Sequence, residues 1–139
     1  MAKNDYLDQL SAVPLFADCS KKELTQIARL ATSLIIEAGI EFISEGSFAR
    51  EMMVLASGSA VVRKNGRKIA QLNAGAVVGE LALLTGLARN ASVTTTERTE
   101  LLVLDSAAFS TLLDDVPSVT RAILTAVSRR LSEAEHPKA

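Results

Sequence analysis

The sequence predicts an α+β fold, mainly β: an eight-stranded β jelly roll or barrel with helices at both ends. Three observations predict it. Between residues 34 and 104, short β-prone runs recur with turn signals between them, the pattern of a small barrel or jelly roll. The flanking stretches, 1–33 and 105–134, carry apolar residues at helical spacing. A length of 139 residues with 48% hydrophobic content is enough for one core. The expected organisation is a single domain over 1–139, with N-terminal helices in 1–33, the barrel in 34–104 and two C-terminal helices in 105–134.

Residues 3–11 have Tyr6, Leu7 and Leu10 on one helical face, and Pro14 follows as a stop. Leu15-Phe16 is a small apolar anchor. Ser20 and Glu23 form a capping-box signal, and Leu24, Ile27, Ala28 and Ala31 then repeat as one face, so 21–31 is read as an amphipathic helix.

The β-prone runs are 34–37, 41–44, 52–57, 59–64, 67–72, 76–78, 91–95 and 100–104. Asn65-Gly66 is the clearest hairpin signal among the turns, because a type I′ turn needs positive φ at both positions. After the barrel, Asp105 caps a helix over 106–113, with Phe109 and Leu112 inward. Pro117 opens the last helix, which runs to about residue 134 with Ile123, Leu124, Val127 and Leu131 on one side.

Bulk chemistry excludes several classes. The net charge of −1 is not that of an electrostatic nucleic-acid binder. Cys19 is the single cysteine, which permits no intramolecular disulfide and suits a reducing compartment. The N-terminus lacks an apolar signal core, and no apolar run reaches the roughly 20 residues that span a bilayer. The expected address is cytoplasmic, with neither nucleic acid nor membrane as partner. His136 is the lone histidine, and no clustered metal-ligand motif occurs. No metal and no catalytic residues are therefore assigned, and a phosphodiesterase, which usually needs a metal or a paired acid and base, is disfavoured.

One stretch interrupts the strands, residues 78–93, VGELALLTGLARNASV. Gly79 allows a tight turn and close approach to a ligand. The helical run 81–85 that follows offers free N–H groups and a positive dipole end, which hold an anion. Arg89 adds a planar fork suited to two phosphate oxygens. Glu80 would repel a phosphate but would accept a hydroxyl, as acids do from ribose in dinucleotide sites. The stretch suits a small anion that carries hydroxyls.

These residues resemble the phosphate-binding cassette of the cyclic nucleotide-binding domain family. The likeness rests on Gly79-Glu80-Leu81-Ala82-Leu83-Leu84, then Arg89, then Ala91, and covers a cassette of 78–91. It extends to Ala56-Ser57-Gly58-Ser59-Ala60-Val61-Val62 and to Leu72-Asn73-Ala74-Gly75, which look like the family's glycine turns. The resemblance implies that Arg89, Asn90 and Ala82 hold the ligand phosphate. Glu80 and Gly79 would hold the ribose, with Leu81 and Ala91 completing the cassette. Val62, Ile69, Ala70 and Leu72 are barrel-core residues by pattern; the resemblance implies that some of them line the base pocket, and alternation turns only half of each strand inward. Asn90 departs from the Ala, Ser or Thr common in the family, which bears on the choice of base. The last helix has no aromatic residue, so Val127 or Leu131 is expected to cover the base.

The function implied is that of a non-catalytic sensor for cyclic AMP, which is a ligand here and not a cofactor. Its change of shape would pass through the C-terminal helices to an unidentified downstream protein or to an effector domain missing from this chain. A homodimer is a further candidate. The alternative is a degenerate domain kept for interaction or dimerisation without ligand, although Glu80 and Arg89 together have no place in a mere scaffold.

Overall fold

The computed structural model describes residues 3–48, 50–79 and 88–135. The chain enters through α1 (Lys3–Ser11), a 3₁₀ turn (Pro14–Phe16) and α2 (Lys21–Leu30). The capping box at Ser20 is formed in both directions. The Glu23 amide donates to Ser20 Oγ at 3.1 Å, and the Ser20 amide donates to Glu23 Oε1 at 2.8 Å. Two helix-start donors that would otherwise go unpaired are thereby satisfied.

Eight strands follow: β1 (Thr32–Ile36), β2 (Glu41–Ile43), β3 (Glu51–Ser57), β4 (Ser59–Lys64), β5 (Arg67–Asn73), β6 (Val77–Val78), β7 (Ser92–Thr95) and β8 (Thr99–Asp105). They form two antiparallel sheets, in the orders β1-β8-β3-β6 and β2-β7-β4-β5. β1 begins at Thr32, earlier than its apolar run, because Thr32 and Ser33 pair with Val103 and Leu102. Partner strands, not local composition, set that end. The β4–β5 hairpin turns at Asn65 and Gly66, with φ of 53° and 80°, as the mirror-image turn requires. At the chain's end lie α3 (Ser106–Asp115) and α4 (Pro117–Glu135). The Ala108 amide donates to Asp105 Oδ1 at 2.8 Å, capping α3. Among the described residues, no helix is long and apolar enough to cross a membrane.

β3 explains how the layers are joined. Its residues Met52 to Ala56 are all buried, yet they serve two different cores. Met52, Val54 and Ala56 point outward with Leu102 and Leu104 of β8, against Leu10, Phe16, Ile27, Phe109, Leu112 and Val119 of the helical layer. Met53 and Leu55 point inward with Leu101 of β8, against Ile43, Ala60 and Val93 of the other sheet. The period-2 alternation is intact, but both faces are apolar because both are covered. Burying each such side chain fully stabilises the fold by roughly 1.5–3 kcal/mol. Thr95 ties the corner between β1 and β2. It accepts from the Ile40 amide at 2.9 Å and donates to the Glu37 carbonyl at 2.7 Å.

Candidate functional site

Gly79 and Arg89 meet where the two sheets adjoin. Gly79 follows β6, whose Val77 and Val78 pair with Val54 and Met53 of β3. Arg89 lies just before β7, a central strand of the other sheet. Its backbone is clamped by the 46–48 loop: the Arg89 amide donates to Ser47 O at 2.8 Å, and the Gly46 amide donates to Arg89 O at 2.8 Å. A bridge between Phe48 and Ala88 extends the clamp by one residue. The Glu45 amide donates to Ser92 Oγ at 2.9 Å on the far side.

Arg89 is 7% exposed. Burial of a charge is costly unless it is hydrogen-bonded, and Nη2 donates to the Glu51 carbonyl at 2.7 Å. The guanidinium lies close against Gly79. A Cβ on Gly79 would collide with Arg89 Nη1 and come within 3.0 Å of Glu51 O. Gly79 also has φ of +94°, a conformation other L-residues rarely adopt. Both space and backbone therefore demand glycine here. A buried, oriented guanidinium beside a closely approachable backbone is chemistry suited to an anion.

The remaining expected site residues fall in several places. Ala91 is buried beside Arg89, and Asn90 is exposed. Glu80, Leu81 and Ala82 lie outside the described residues. On the β4–β5 hairpin, Ala60 pairs with Leu72 and Val62 with Ala70, which puts these four on one face. Val62 and Leu72 pack against the inter-sheet cluster, while Ala70 is exposed. Ile69 sits at a register shift between the Val62–Ala70 and Arg63–Lys68 pairs and is 58% exposed. Val127 packs on the outer, helical core, and Leu131 is 60% exposed.

Sequence reasoning missed the clamp. Ser47 and the Glu51 carbonyl hold Arg89 across some forty residues of chain, and backbone atoms leave no residue-type signature. Glu45-Gly46 was legible only as a turn. Elsewhere, burial, with Glu23 and Asp18 nearby, pushes the Cys19 thiol up to about 11, so it is protonated and a poor nucleophile.

The family model described as Cyclic nucleotide-binding domain matches residues 34–116 of this chain. A cAMP-dependent protein kinase regulatory subunit of Eremothecium gossypii is 34% identical over 117 residues, which is 84% of this chain and 26% of that protein. The chain thus spans about a quarter of that relative's length. Among solved structures, the Thermus thermophilus Catabolite Activator Protein superposes with a TM-score of 0.81 at 28% identity, covering 88% of this chain and 60% of that one. A structure described as Sp-2Cl-cAMPS bound to PKAR CBD2 gives 0.78 at 26% identity, covering 99% of this chain and 94% of that one.

Proposed function

The chain belongs to the cyclic nucleotide-binding domain family, and from that premise we propose that it is a non-catalytic sensor whose ligand is cyclic AMP. The observation that carries this reading is the buried guanidinium of Arg89, seated against Gly79 at the junction of the sheets. The kinase regulatory subunits it resembles are named for dependence on cyclic AMP.

In this reading Arg89 binds the cyclic phosphate, joined by backbone N–H groups at Ala82 and Asn90. Glu80 accepts a ribose hydroxyl beside Gly79. Val62 and Leu72, with Ala70 and Ile69 on the same hairpin, offer the base an aliphatic surface. The base is covered by Val127 or Leu131. Val127 packs on the outer core, so covering the base requires α4 to shift, and that shift is the output. A separate effector protein, or a module joined to this domain, receives it.

Calorimetry on the wild type, Arg89→Ala and Arg89→Lys tests the reading. Removing one partner of a desolvated charge pair costs roughly 2–5 kcal/mol. Arg89→Ala should therefore bind cyclic AMP about 30-fold or more weakly, and Arg89→Lys should fall between the two because it keeps charge without the fork. Thermal melts of each variant report any loss of fold separately. Unchanged affinity in folded Arg89→Ala removes the assignment.

A further inference from the structure

A cleft of about 510 Å³ lies outside the barrel, between α4, the 3₁₀ turn and the turn from β5 into β6. Part of its lining is small-residue: Ala122 and Ala126 of α4, with Ala76. Leu15 and Val77 give it apolar walls. The α4 residues that line it run from Ser118 to Arg129 on one helical face, a trough of about 16 Å at the helical rise.

The strand wall is held in place by backbone bonds. The Gly75 amide donates to Leu55 O at 2.8 Å, the Leu55 amide to Ala76 O at 2.9 Å, and the Ala76 amide to Asn73 O at 3.1 Å. The cleft is therefore built on pinned backbone and a continuous helix.

Its charge is uneven. Arg121 and Arg129 line the cleft against one acid, Asp18. Among the described residues neither arginine is in an ion pair, and the pair that forms is Arg98 with Glu37. Arg121 is partly balanced, since it helps to lower the pKa of Glu23, after the Ser20 and Ser118 hydrogen bonds to that carboxylate. Arg129 lines the cleft one turn beyond Thr125, and we take it as the anchor for an anion.

We infer that this cleft is a second ligand site, for a small amphiphilic organic anion. Its acidic group pairs with Arg129, and its ring or short chain lies on Ala126 and Ala122 toward Leu15 and Val77. The volume falls within the range of roughly 300–1,000 Å³ usual for small-molecule sites. An occupant would touch both α4 and the strand that leads into Gly79.

The test uses anilinonaphthalene sulfonate, an apolar ring system with one sulfonate, titrated into the full 139-residue chain and followed by amide NMR shifts. Cyclic AMP is kept in excess. Saturable shifts are expected at Gly75 to Val77 and along 118–129. Shifts confined to Val62, Leu72 and Val93 would put the probe between the sheets and overturn the inference without touching the cyclic AMP reading. Arg129→Gln should weaken the probe by about tenfold or more, the scale of a charge-assisted hydrogen bond. Ala126→Leu should fill the cleft and abolish binding. Both positions are exposed, so neither substitution disturbs the core. Absence of saturable shifts in 118–129, or unchanged affinity in either variant, overturns the inference.

Discussion

Replacing Gly79 with alanine would press on the junction of the sheets in two ways. The first is conformational. Gly79 has φ of +94°, and a residue with a Cβ held there costs roughly 1–3 kcal/mol. The second is steric. The new Cβ would fall on Arg89 Nη1 and lie 3.0 Å from both Arg89 Cζ and Glu51 O. Glu51 O is backbone in a central strand and cannot move far, so the guanidinium must yield. Moving it breaks the Nη2 bond to Glu51 O, and a hydrogen bond to a charged group contributes about 1.5–3 kcal/mol. The two terms together give about 2.5–6 kcal/mol of destabilisation. Urea denaturation measures it, and a cycle with Arg89→Ala separates the parts. In the Arg89→Ala background the guanidinium is gone, so Gly79→Ala should cost only the conformational term, about 1–3 kcal/mol. The expected coupling is therefore at least about 1 kcal/mol. Equal costs in the two backgrounds would refute the claim that Gly79 makes room for the arginine.

Three further outcomes follow from the same account. Glu80→Gln should weaken cyclic AMP more than its 2′-deoxy analogue in competition binding, because the analogue lacks the hydroxyl assigned to Glu80; equal losses would leave Glu80 as a helix-start acid alone. Residues 118–133 should gain hydrogen-exchange protection when cyclic AMP is bound, since covering the base adds burial to α4; identical protection in both states would place the cover elsewhere. The Glu23 carboxyl lies below its ordinary value, chiefly through the Ser20 backbone hydrogen bond. A lowered folded pKa gives stability that is present above the unfolded value and lost as pH falls through the folded one. Wild-type stability should thus drop more steeply with acid below about pH 5 than that of Glu23→Gln, and parallel acid limbs in thermal melts would show that the cap contributes nothing.

Features governed by near neighbours along the chain are legible in the residues alone. The Asn65-Gly66 hairpin, the Ser20–Glu23 box and the Asp105 cap each depend on a few adjacent residues and a known dihedral or hydrogen-bond demand. Arg89 and Gly79 stand out as candidate site residues by their chemistry and by the cassette resemblance they carry. How they are seated is not legible, because the Ser47 and Glu51 carbonyls that hold the arginine reach it only through strand pairing. The side of the β4–β5 hairpin is blurred for a related reason. A register shift at Ile69 breaks the alternation that would sort inward from outward positions. The apolar stripe of α4 announces a packed helix, but no periodicity says whether Val127 faces the outer core or the inter-sheet space.

The central claim is that the described cradle at Gly79 and Arg89 receives a cyclic phosphate, and a calorimetric titration of the wild-type chain with cyclic AMP tests it most directly. Saturable heat with one site per chain and a dissociation constant in the micromolar range or tighter, about −8 kcal/mol or more favourable, is the predicted result. No saturable heat with cyclic AMP at millimolar concentration, from a chain that melts cooperatively, would contradict it.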